Sequence, residues 1–101
     1  MLDKVKLALR QSKDAFDDEI LLLISAAQQE LIIAGINPEK VLQNEPDPLV
    51  SQFIVTYCRA HFGSPEDYDR LKASYDEQKS QMMSATGYAI WGGEGDFSGQ
   101  V

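Results

Sequence analysis

The sequence predicts an all-α protein, a small bundle of about four helices that ends in a flexible C-terminal tail of glycine and aromatic residues. Three observations predict it. Residues 16–34 repeat apolar side chains at three- and four-residue steps, the period of an amphipathic helix. Residues 47–79 read as two helices joined at Gly63, with start and stop signals at both junctions. Past Ala85, Gly87, Gly92, Gly93, Gly95 and Gly99 break any helix, yet Tyr88, Ile90, Trp91 and Phe97 are interleaved among them. Residues 1–85 are therefore expected to form one helical domain and residues 86–101 the tail. A chain of 101 residues has room for one modest core.

Leu2, Val5 and Leu9 lie at helical spacing and predict a short first helix. Gln11 to Ala15 is polar, and Ser12 or Asp14 is placed to cap a second helix. That helix, the longest, spans Phe16 to Ala34, with Ile20, Leu23, Ile24, Ala27, Leu31 and Ala34 on one stripe and Gly35 as its stop. Leu22, Ala26 and Ile33 fall off that stripe. A helix apolar around so much of its girth is central in a bundle or shared with another subunit. Asn37-Pro38 signals a single helical turn and then a loop.

Asp47 caps the third helix, Pro48 to Phe62, which presents Leu49, Val50, Phe53, Ile54, Tyr57, Cys58 and His61 on a broad face. Phe53, Tyr57 and Phe62 are its expected core anchors. Gly63 supplies a left-handed residue, and Ser64-Pro65-Glu66-Asp67 restarts the chain as a fourth helix from Pro65 to about Ser84. Tyr68, Leu71, Tyr75 and Met82 make only a thin stripe there. With a charged back, it is a surface helix.

Composition excludes several function classes. The net charge is −7, which disfavours gripping nucleic acid, because affinity for phosphate comes from clustered Lys and Arg. The basic face of Lys4, Lys6, Arg10 and Lys13 has no stacking aromatics, and it is expected to pair with acidic helices or to be solvated. Cys58 is the only cysteine and His61 the only histidine, so an internal disulfide or a multi-histidine metal site cannot be built in one subunit. Cys58 reads as a buried thiol and His61 as a packing or capping residue. Asp14, Asp17, Asp18 and Glu19 lack the glycine hinge of a calcium loop and suit a helix start. Gly92-Gly93-Glu94-Gly95 matches no phosphate-binding pattern. No catalytic residue, metal or cofactor is expected. The longest apolar run, Ile20 to Ile24, is too short to cross a membrane, and no signal-peptide pattern precedes it, so the cytosol is the default compartment.

The opening LDKVKLALR, then Asp17-Asp18-Glu19-Ile20 running into LLLISAAQQELIIAGI, resembles the tailed-phage head–tail connector (adaptor) proteins, often labelled DNA-packaging proteins. DPLVSQFIVTYCRAHFG followed by DYDRLKASYDEQKSQM extends the resemblance over residues 2–84. The tail from Gly87 is outside it. The resemblance implies a non-enzymatic virion protein, present in the host cytoplasm during assembly. It implies a homo-oligomeric ring, dodecameric in the virion, beneath the portal protein. The ring would dock a stopper or tail-completion protein and let DNA pass without specific binding. Subunit and portal contacts are expected at Leu22, Ala26 and Ile33 and at Tyr88, Ile90, Trp91 and Phe97. The alternatives are a small helical regulator or adaptor that binds a protein through the third helix or the tail, and a DNA-binding packaging factor.

Overall fold

The computed structural model describes residues 1–63 and 65–85, so the tail and its four large apolar side chains lie outside the described residues. Helix α1 spans Leu2–Leu9 and α2 spans Asp17–Ile33, with a 3-10 turn at Asp14–Phe16 between them. A one-turn helix α3 (Pro38–Val41) precedes α4 (Pro48–His61) and α5 (Tyr68–Ser84). Every regular element among the described residues is helical, as the periodicity predicts.

The junctions explain the bounds. Asp47 accepts a hydrogen bond from the Val50 amide at 3.1 Å, and Asn37 accepts one from the Glu39 amide at 2.9 Å. Each cap is followed by a proline in the first turn, where the missing N–H costs nothing. Gly35, at φ 104°, ends α2, and the Ile36 amide donates back to the Leu31 carbonyl. That reversal drives Ile36 into full burial.

One expected cap is absent and one expected boundary shifts. Neither Ser12 nor Asp14 caps the second helix: the 3-10 turn leads into it instead, and no side chain caps either element. The Asp14 carboxylate is engaged by Lys6 at 2.9 Å, which ties the turn to α1. Helix α5 starts at Tyr68 rather than Pro65. Asp67 occupies its N-cap position, but its carboxylate takes the Arg70 guanidinium rather than a backbone amide.

Helix α4 is the hub, packed against α5, α2 and α1. Phe53, Ile54, Val50 and Cys58 of α4 are fully buried together with Val5, Ile20, Leu31, Ile36, Val41 and Met82. Burying each large apolar side chain contributes about 1.5–3 kcal/mol. Of the three expected anchors, Phe53 is fully buried, while Tyr57 and Phe62 are half-buried at the edge of the cluster. Phe62 meets Phe16 edge-on with ring centres 5.6 Å apart, which closes the α4 end over the start of α2.

Candidate functional site

Helix α2 carries two apolar stripes on opposite faces. Ile20, Ile24, Ala27 and Leu31 step by four, three and four residues and are buried against α4, α1 and α3. Leu22, Ala26, Gln29 and Ile33 repeat the same steps two residues later, about half a turn round the helix. Leu22 is 72 % exposed and Ile33 82 % exposed, with Ala26 half-buried between them. Leu21, 46 % exposed, widens the stripe on one flank. Two large aliphatic side chains on one ridge of a small domain form the kind of patch that marks an interaction surface. The four-three-four spacing also suits packing against another elongated apolar element.

The ridge is held firmly. Lys6 reaches Asp17 at 2.8 Å from α1, and Lys79 reaches Glu30 at 3.0 Å from α5. Hydrogen bonds that the Lys6 ammonium donates, to Asp17 first and then Asp14, hold it above its ordinary pKa. Both ends of α2 are therefore clamped while its outer face stays open.

Cys58 and His61 are both engaged in packing. Burial pushes the Cys58 thiol up to about 12, so it is protonated at neutral pH and poorly nucleophilic. His61 Nε2 lies 3.1 Å from the Tyr75 hydroxyl, and its ring packs against Tyr57 at 4.3 Å and Tyr68 at 5.6 Å. It is a packing residue between α4 and α5. Lys6 and Lys4 of the basic face pair with carboxylates, Lys4 with Glu45 at 3.7 Å. No three His, Cys, Asp or Glu side chains converge on a common point among the described residues.

Of the expected contact residues, α2 brings Leu22, Ala26 and Ile33 onto one ridge, and the tail residues fall outside the described residues. The sequence reading missed Leu7, 80 % exposed on α1, and Leu42, 57 % exposed after α3. Leu7 sits two residues from buried Val5, hence on the opposite helix face, and that offset was the available signal. Leu42 comes just after the last turn of a helix too short to show a period.

A clamped helical body with an outward apolar ridge, its thiol buried and its imidazole half-buried among tyrosine rings, defines a class: small α-helical proteins with an apolar face left open on one helix. The chain belongs to the phage connector protein family, whose model matches residues 1–89. No curated protein and no solved structure matches it. Membership makes it a structural component of the phage virion with a head–tail connector role. Among the described residues, no helix is long and apolar enough to cross a membrane.

Proposed function

We propose that the chain is a ring-forming head–tail connector. Copies assemble beneath the portal protein, extend its channel, and offer a docking surface to a stopper or tail-completion protein. The observation that carries this reading is the exposed ridge Leu22–Ala26–Ile33 on a helix clamped at both ends, in a chain of the connector family. In a ring, a neighbouring subunit covers the ridge, and burying Leu22 and Ile33 contributes about 1.5–3 kcal/mol each. Tyr88, Ile90, Trp91 and Phe97 are the proposed contacts to the portal. The net charge of −7 favours passive passage of DNA, since an acidic lumen repels phosphate.

Quantitative mass spectrometry of purified virions tests the reading. The expected copy number equals that of the portal, a dodecamer, with the protein localised at the tail vertex. Its absence from mature virions, or a copy number of one, contradicts a ring.

A further inference from the structure

A cyclic ring of more than two copies needs two different patches on each copy, one for each neighbour. The outer ridge of α2 supplies one. A ridge that met only another ridge would make a self-complementary contact, which closes as a dimer. The outer face of α1 carries a second patch. Leu7, 80 % exposed, is the most exposed large apolar side chain outside α2 among the described residues. It lines an open, largely apolar groove together with Asp3, Lys6, Arg10, Gln11 and Ser12. Leu42, the other exposed leucine outside α2, stands between Glu39 and Glu45, the wrong sign to meet an acidic ridge.

Charge matches the two patches and sets their direction. The ridge opens on Asp18, four residues before Leu22, with Glu19 next to it, and no cation follows through Ile33. Arg10 lies three residues after Leu7 and lines the same groove. Arg10 and Asp18 are both exposed, and among the described residues neither is in an ion pair. With Leu7 of one copy seated on Leu22 of the next, parallel helices would set Asp3 against Asp18, each four residues before its leucine. Like charges placed face to face disfavour that direction. Antiparallel helices bring Arg10 opposite Asp18, and Asp3 then falls beside Ser25 and Ala26, where no acid stands. The two offsets from the leucines, about 4.5 Å and about 6 Å of helical rise, differ by less than the reach of a guanidinium.

We propose that the outer face of α1, centred on Leu7 and Arg10, docks antiparallel on the α2 ridge of the next copy, with Leu7 on Leu22 and Ala26 and with Arg10 on Asp18. The inference rests on the ring reading and names the neighbour's side of the same site. Each chain uses both patches, so the contact propagates head to tail from copy to copy.

Cysteine cross-linking of the full-length chain, at concentrations where it assembles or on the portal, tests the contact. Leu7 and Leu22 are exposed, so cysteine at either position leaves the core intact, and buried Cys58 stays silent. Oxidising a mixture of Leu7→Cys and Leu22→Cys chains is expected to give a disulfide-linked dimer that neither variant gives alone. A chain carrying both substitutions should give a ladder of multimers. A dimer from Leu22→Cys alone overturns the proposal, because the ridge then meets itself, and so does the absence of any cross-link in the mixture. Arg10→Glu should raise the concentration needed for assembly severalfold with circular dichroism retained, and adding Asp18→Lys should restore it. Unchanged assembly of Arg10→Glu, or no rescue by Asp18→Lys, sinks the assigned register. A wild-type ring on the portal without the mixed cross-link leaves the ring reading standing and removes only this contact, whereas a wild type that never assembles removes both.

Discussion

Lys79 Nζ on α5 lies 3.0 Å from the Glu30 carboxylate on α2, across a sequence separation of 49 residues. The pair joins two helices that otherwise touch little, since α5 packs chiefly on α4. Both side chains are part-exposed, so water screens the attraction. Lys79→Ala is expected to cost about 0.5–1 kcal/mol. Urea midpoints check this, with an unchanged m-value. Adding Glu30→Ala should cost less than the sum of the two single changes, because the pair is lost only once.

Tyr75 is the centre of the α4–α5 contact. Its ring meets Phe53 edge-on at 5.6 Å and Tyr57 at 5.2 Å, and its hydroxyl faces His61. Tyr75→Phe keeps the ring and removes only the hydroxyl, an expected loss of about 0.5–1.5 kcal/mol. Tyr75→Ala empties the site and is expected to cost about 3–5 kcal/mol. Equal losses in the two variants would show that the hydroxyl, not the ring, holds the helices together.

Arg10 ends α1 in the left-handed region, at φ 59°, where its amide donates to Leu7 and the Gln11 amide to Lys6. A side chain there is strained, and glycine is the residue this turn prefers. Arg10→Gly is therefore expected to stabilise the fold by about 0.5–1 kcal/mol, read as a raised thermal midpoint. A lowered midpoint would mean that the guanidinium makes a contact worth more than the strain.

Alkaline pH should loosen the core through Cys58. Burial raises its pKa from 9.0 to about 12, so the unfolded thiol ionises while the folded one stays protonated. Stability is fully present below pH 9 and falls between pH 9 and about 12. This thiol alone contributes a slope of up to about 1.4 kcal/mol per pH unit. Tyr57 and Tyr75, also raised by burial, act in the same direction, and so does Lys6, raised by Asp17 and Asp14. Cys58→Ala isolates the thiol: the variant is less stable at pH 7, but its stability should decline less steeply above pH 9. Parallel declines in the two proteins would place the thiol in contact with water.

Most of the fold was legible because it is written in local chemistry. Asp47-Pro48 and Asn37-Pro38 each announce a capped first turn, and both caps form. Gly35 and Gly63 carry the positive φ that their positions demanded. The missing Asp14 cap before α2 and the uncapped, later start of α5 share a feature. Asp14 and Asp67 could have bonded a backbone amide, but Lys6 and Arg70 compete for their carboxylates. Such tertiary and side-chain competition is invisible in a one-dimensional cap pattern. The ridge was legible from period alone, because Leu22 and Ile33 cannot share a face with Ile20 and Leu31. What the period could not say is that α4, not α2, would be the hub.

Sedimentation velocity of the purified protein, alone and mixed with the portal of its phage, tests the proposed ring on the portal and its contacts through the α2 ridge. The expected result is a monomer or weak oligomer that becomes a ring co-sedimenting with the portal, a shift that Leu22→Ser with Ile33→Ser abolishes without loss of helical signal. A wild-type protein that stays monomeric at every concentration and never sediments with the portal would contradict the account.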